Sequence, residues 1–218
     1  MKAARLLIAV SLSLLGCGDD GGGPDPDPDP DPLPVGECGA ISTFENGKTP
    51  STTLHVDDGG SDDNGDGSEA DPLATLQEAA SRATPGTAIV IHEGNYAGDL
   101  YIANLQGTEE APIWIGGAEG EALPVFSGGD FVIQFSGGRY LVVHDLELTG
   151  GSAGGLNFDD MGEVDDETFA QHLVLRDLYI HDVGADGNQD CLKLSGLDDF
   201  FVTDGRFDDC GGGGSGID

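Results

Sequence analysis

Three stretches in the last third of the chain carry one pattern: YLVVHDLELTG at 140–150, HLVLRDLYIHD at 172–182 and FFVTDGRFDD at 200–209. They align without a gap, and one column contains only aspartate. Apolar residues alternate before and after this aspartate, which predicts a strand, a bend at Asp and a second strand on a new face. The matching columns are Asp145, Asp177 and Asp204; Leu141, Leu173 and Phe200; Val143, Leu175 and Val202; Leu148, Ile180 and Phe207.

This unit recurs after 32 and then 27 positions. Strands repeated at such a period, with loops of variable length, are typical of a β-solenoid. Further candidate strands are TAIVIH, APIWIG and FVIQF, so we expect one all-β domain over residues 38–218. A β-sandwich with a chance internal similarity is the alternative, although ungapped columns are unusual in sandwiches.

One helix is predicted ahead of these strands, at TLQEAASRA. Thr75 and Glu78 form a capping-box pattern, in which each side chain bonds the other residue's backbone amide. Leu76, Ala79, Ala80 and Ala83 form a narrow apolar stripe at helical spacing. A short amphipathic helix in this place would cover the first turn of a solenoid, which otherwise exposes a strand edge.

The stretch LHVDDGGSDDNGDGSEADPLATLQEAASRATPGTAIVIHEGNY at 54–96 resembles the N-terminal part of the pectate-lyase-like superfamily. The resemblance implies a right-handed parallel β-helix with a short N-terminal capping α-helix. That superfamily contains lyases, hydrolases, epimerases and non-catalytic surface proteins, so the fold does not decide the activity. Its members usually continue for several more turns, and we therefore expect CGGGGSGID at 210–218 to mark a chain that is incomplete at its C-terminus.

The N-terminus predicts export and anchoring. Residues 1–16 combine Lys2 and Arg5 with a ten-residue apolar core that is too short to span a bilayer. LLGC ends this segment and resembles a bacterial lipoprotein signal, which implies lipidation of Cys17; an ordinary secretory signal is the alternative. Residues 17–37 form a Gly-rich and Pro-Asp linker, which we expect to be an extended stalk. The predicted location is the bacterial cell envelope, with the domain exposed to the periplasm or the cell surface.

The charge is strongly negative, with 8 Lys and Arg against 41 Asp and Glu and a net charge of −33. Nucleic-acid binding needs clustered cations, so this composition excludes it. An acidic polysaccharide would be repelled unless divalent cations bridge the charges. Three cysteines follow Cys17, and the predicted disulfide joins Cys191 to Cys210, which leaves Cys38 without an assigned partner.

Two places are candidates for calcium. In DDNGDGSE, Asp62, Asn64 and Asp66 stand at alternate positions before Gly67, like the opening of a calcium loop, but no glutamate follows at the twelfth position. In ADGNQDCLKLSG, Asp186, Asn188 and Asp190 could also supply three oxygens. The alternatives are a solvated acidic loop and an ordinary turn.

Lys193 is the candidate catalytic residue. Leu192 and Leu194 should face inward, which places Cys191, Lys193 and Ser195 on the outer face. Some lyases of the superfamily use calcium to bind a uronate carboxylate and a lysine or arginine to remove the C5 proton, and the resemblance gives that role to Lys193. The alternative is a solubilising charge on an exposed strand.

Two functions follow from the sequence. The favoured one is a surface lipoprotein that acts on acidic polysaccharide by calcium-assisted β-elimination. The other is a non-catalytic solenoid that binds carbohydrate or serves adhesion, and the strong negative charge favours it.

Overall fold

Parallel strands, stacked one turn of chain above the next, form the architecture. The computed structural model describes residues 42–163, 170–184, 187 and 189–218. Every ladder between the strands of this part of the chain is parallel. A sandwich is built mainly from antiparallel strands, so the alternative raised by the sequence is excluded.

The stack has three walls. The first wall contains β1 (Thr52–Val56), β2 (Thr87–Ile91), β5 (Ile113–Gly117), the first parts of β8 (Arg139–Thr149) and β10 (Gln171–Val183), and β12 (Asp198–Thr203). The second wall contains β3 (Asn95–Ala97), β6 (Val125–Ser127), the second parts of β8 and β10, and β13 (Arg206–Cys210). The third wall contains β4 (Leu100–Ala103), β7 (Phe131–Ser136), β9 (Gly154–Asp159) and β11 (Asp190–Ser195), in the spatial order β4-β7-β9-β11.

The predicted columns are real neighbours in the sheet. Leu173 is paired with Leu141 on one side and with Phe200 on the other. The aspartate column forms the corner between the first and second walls, since Asp145, Asp177 and Asp204 have φ of 51°, 52° and 53°. Aspartate tolerates this left-handed backbone better than most residues, which explains why it recurs there. The predicted bend is therefore confirmed.

Inward-facing side chains of the three walls meet in one continuous core. Phe135 and Phe158 stack at 4.8 Å between ring centroids, and Tyr96 and Phe126 stack at 5.0 Å. Burial of such apolar surface, worth about 25 cal/mol per Å², is the main stabilising contribution to the stack.

The helix α1 (Leu76–Arg82) covers the first turn of the coil, as predicted. Leu76, Ala79 and Ala80 are buried in the main core. Half of the predicted capping box is present, because Thr75 Oγ1 accepts the Glu78 amide at 3.1 Å. The other half is wrong: the Thr75 amide donates to Asp62 Oδ1 at 3.1 Å, while Glu78 pairs with Arg82 at 2.7 Å.

The outer side of the first wall carries a small apolar cluster. Trp114, Val142 and Val174 belong to it, and Phe44 packs over them from the segment that precedes β1. Glu45 beside this phenylalanine makes an ion pair with Arg176 at 2.9 Å. The start of the domain is thus fixed across several turns of the coil.

Helices that could span a membrane are absent from the described part of the chain. The predicted signal, Cys17, the linker and Cys38 lie outside the described residues.

Candidate functional site

The outer face of the third wall carries two columns of outward-pointing side chains. Inward residues such as Leu156 and Phe158 alternate with them and fill the core. Because adjacent strands are in register, equivalent positions stack at the strand spacing, about 4.8 Å. The two columns are Tyr101, Gln134, Asn157 and Lys193, and Ala103, Ser136, Asp159 and Ser195.

Asp159 is the centre of a hydrogen-bond network on this face. Its Oδ2 accepts from Gln134 Nε2 at 2.8 Å, from Ser136 Oγ at 2.9 Å and from Asn157 Nδ2 at 3.0 Å. Its Oδ1 accepts the Met161 amide at 2.9 Å. One carboxylate therefore holds three polar side chains of two strands in fixed orientations.

Lys193 lies at the end of the first column, in register with Asn157 on the adjacent strand. It is half-buried, and no carboxylate of the described residues makes an ion pair with it. Its inward neighbours are as predicted, since Leu192 is buried and Leu194 packs against the core. Lys193 thus lies beside Asn157, a member of the network of Asp159.

The prediction that Cys191 faces outward is wrong. Cys191 is fully buried, and a disulfide joins it to Cys210 of β13. It lies close to the corner at which the chain enters the third wall, where the alternation of inward and outward side chains starts only at Leu192. The bridge connects two consecutive turns of the coil.

The aspartate-rich turn before β11 is only partly described, because Asp186 and Asn188 lie outside the described residues. Asp190 is buried, with 6 % of its surface exposed, and its Oδ1 accepts the Ser215 amide at 2.7 Å. This carboxylate therefore holds the segment that follows β13. Asp190 thus has a structural hydrogen bond, and among the described residues no calcium ligands are grouped around it.

The loop at Asp62, Asn64 and Asp66 is likewise organised by its own hydrogen bonds. Asp62 Oδ1 accepts the Ala74 amide at 2.8 Å, and its Oδ2 accepts the Thr75 hydroxyl at 2.8 Å. The Asn64 amide donates to Ser61 Oγ at 3.2 Å. Hydrogen bonds from Ser68, from its side chain and its amide, lower the pKa of Asp66. Within the described ranges, no three His, Cys, Asp or Glu side chains are grouped to hold a metal ion.

His181 forms a second charged group, on the outer side of the second wall. Its Nδ1 is 2.6 Å from Asp182 Oδ2 and its Nε2 is 3.2 Å from Glu147 Oε1. Burial alone would lower the pKa of His181, but the hydrogen bonds to Asp182 and Glu147 outweigh it and raise that pKa.

Gln134, Asn157 and Asp159 are the residues that sequence reasoning missed. A signal for them exists, because FVIQFS, GLNFDD and CLKLSG each place one polar residue between two inward apolar residues. The repeat that is visible in the sequence comes from the strands of the first two walls. The segments of the third wall align only with one another, so their shared polar position was overlooked.

Comparison with solved structures identifies the fold. The chain is similar to a pectate lyase, with 17% identity over 68% of this chain and 40% of that one and a TM-score of 0.50. The chain has the pectate-lyase-like right-handed parallel β-helix fold. Other similar structures are an alginate lyase from Paenibacillus (24% identity, 66% and 44% of the two chains, TM-score 0.45) and a rhamnogalacturonan lyase (17%, 67% and 43%, 0.48).

This β-helix spans less than half the length of each of these proteins. No protein-family model matches the sequence. No curated protein matches it either.

Proposed function

We propose that this chain binds polysaccharide along the outer face of the third wall and cleaves it there by β-elimination, with Lys193 as the base. The observation that carries the proposal is the network of Asp159, which orients Gln134, Ser136 and Asn157 beside Lys193. The fold is shared with a pectate lyase, which supports a carbohydrate substrate without naming it.

This face suits a sugar chain in its chemistry. Amide, hydroxyl and carboxylate groups lie along the two columns, where Gln134 and Asp159 are half-buried and Ser136 and Asn157 are almost fully buried. Such groups exchange hydrogen bonds with sugar hydroxyls. The side chains are already held in place, so binding orders few of them, which lowers its entropic cost. Tyr101 begins the first column with half of its surface exposed (51%), and its ring offers an apolar face to a pyranose.

The reaction requires the amine of Lys193 to reach the C5 proton of the sugar. Its neutral amine takes the C5 proton of a uronate residue, the C5–H electron pair forms the C4–C5 double bond, and the glycosidic oxygen leaves C4 with its bonding pair and a proton from water. The amine must therefore reach C5 from the same face that binds the sugar, and the column position of Lys193 beside Asn157 supports this role.

Calcium would neutralise the uronate carboxylate and make the C5 proton more acidic. Asp190 is bonded to the Ser215 amide, and the described residues contain no group of three His, Cys, Asp or Glu side chains that could hold a metal ion; Asp186 and Asn188 lie outside them. Calcium dependence is thus a hypothesis for chelation experiments, and Lys193 is the group that we propose for the proton transfer.

A second candidate is binding without turnover, and the net charge of −33 favours it. A polyanionic substrate is repelled by such a surface, whereas a neutral polysaccharide is not. In either case we propose that Cys17 is lipidated and that the domain is displayed from the cell envelope.

The test is the ultraviolet absorbance of unsaturated uronides on pectate, alginate and rhamnogalacturonan. We expect absorbance to rise with one of these polymers and Lys193→Ala to abolish the rise. Lys48→Ala is the matched control, because Lys48 lies elsewhere on the surface and donates to the Glu109 carbonyl. Full activity of the Lys193 variant would rule out this base, and binding without any absorbance change would select the second candidate.

A further inference from the structure

Two histidine rings meet on the outside of the first turns of the coil, away from the third wall. His55 belongs to β1 and His92 directly follows β2, the adjacent strand of the first wall. His55 Nδ1 and His92 Nε2 are 3.0 Å apart. The rings are nearly parallel, at 19° with centroids 5.2 Å apart, so they meet edge to edge and the two nitrogens point toward each other.

Glu121 fixes the second ring. Its Oε1 is 2.9 Å from His92 Nδ1, and its Oε2 accepts the Glu93 amide at 2.9 Å. With the His92 Nδ1 proton donated to this carboxylate, His92 Nε2 carries a lone pair that points toward His55. A carboxylate that orients a histidine in this way is the usual support of a metal-ligating imidazole.

Burial, a second histidine and two carboxylates all act on His55. Burial and, to a smaller extent, the neighbouring His92 lower the pKa of His55, while Glu69 and Glu121 act in the opposite direction. A neutral imidazole offers its nitrogen lone pair to a metal near neutral pH. The two carboxylates then stabilise the positive charge that the ion brings.

We propose that His55 Nδ1 and His92 Nε2 bind one transition-metal ion of the zinc class, with Glu121 orienting His92. Two nitrogens that each bind zinc at about 2.0–2.1 Å are about 3 Å apart when the angle at the metal lies between a right angle and tetrahedral. No third His, Cys, Asp or Glu ligand is provided by the described residues, so water completes the coordination. Calcium does not fit, since it prefers oxygen ligands.

The ion would join the first two turns of the coil, and Glu121 links His92 to the loop between β5 and β6. This site is independent of Lys193 and of any carbohydrate reaction. Its effect would be to stabilise the folded chain, because an ion that binds only the native state shifts unfolding by mass action.

The experiment is calorimetric titration of the full chain with zinc chloride. We expect one site per chain, weakened at least about tenfold by His55→Ala or His92→Ala and by about 10- to 100-fold by Glu121→Gln. His144→Ala is the matched control, because His144 also bonds a carboxylate, Asp145 at 2.7 Å, but makes no contact with a second histidine. Acidification should weaken zinc binding, since protons compete for the same nitrogens.

Circular dichroism of each variant establishes that it is folded. Equal zinc binding by the wild type and the His55→Ala/His92→Ala double variant would assign the ion to the acidic surface and overturn the proposal. A loss in His144→Ala as large as in His55→Ala would do the same. An absence of zinc binding by the wild type would leave the two rings as a hydrogen-bonded pair and not a metal site.

Discussion

Aspartate has two different roles in this molecule at the level of single residues. Asp145, Asp177 and Asp204 adopt left-handed backbone at a corner of the coil, and their repetition in sequence predicts the bend. Asp159 instead collects hydrogen bonds from side chains of two strands. Only the first role repeats one residue type in one column of the sequence, since the donors to Asp159 become neighbours through the stacking of the strands.

Replacement of Asp177 tests the backbone role. Asp177 is exposed and has φ of 52°, so Asp177→Ala should lower the free energy of unfolding by about 1 kcal/mol. Asp177→Asn and Asp177→Gly should retain most of the stability, since both residues adopt this conformation readily. Urea unfolding measures all three variants. Equal stability of the alanine and asparagine variants would contradict a backbone origin.

His181 should make the stability depend on pH. Burial alone would lower its pKa, but the hydrogen bonds to Asp182 and Glu147 raise it above the ordinary value of 6.5. A raised pKa in the folded state means that the contribution is complete below about pH 6.5 and is lost as pH rises through the folded-state pKa. The difference in unfolding free energy between wild type and His181→Gln should therefore increase from about pH 8 to about pH 6. A difference that is constant or increases toward alkaline pH would refute this.

The helix α1 is the element whose start depends on a residue distant in sequence. Thr75 was predictable as the N-cap from its own neighbours. Asp62, which accepts the Ala74 and Thr75 amides, lies in a loop that sequence reasoning considered for calcium. An acidic loop residue offers the same oxygen atoms to a helix terminus and to a cation, so the sequence alone does not decide between the two.

Asp62→Ala should lower the free energy of unfolding by about 1–2 kcal/mol, because it removes the acceptor of two amides at the helix start. Asp63→Ala is the matched control, since Asp63 is exposed and its side chain makes no hydrogen bond to the described residues. Denaturant unfolding should give the same loss with calcium and with chelator. A loss that occurs only in the presence of calcium would make Asp62 a calcium ligand.

The whole coil was predictable from the columns that stack directly above one another. Leu141, Leu173 and Phe200 repeat because each fills the same place in successive turns. The contacts made between different turns on the outside of the coil were not predictable in this way. Two examples are the packing of Phe44 on Trp114 and the contact between His55 and His92. Each joins segments that are far apart in sequence, and the lengths of the intervening turns decide whether they meet.

Anchoring is the prediction for the chain as a whole. If Cys17 is lipidated, the wild-type protein expressed with its signal should partition with membranes, and Cys17→Ser should release it to the soluble fraction. Cell fractionation with incorporation of a labelled fatty acid measures both. A Cys17→Ser protein that remains with the membrane fraction would contradict a lipid anchor at this cysteine.

The most direct measurement is a crystal structure of the chain in complex with a uronate oligosaccharide. We expect density along the outer face of the third wall, with a sugar over Tyr101, hydrogen bonds to Gln134 and Asn157, and Lys193 near C5 of one residue. An oligosaccharide bound to another wall, for example beside Tyr179 and Arg206 of the second, would contradict it.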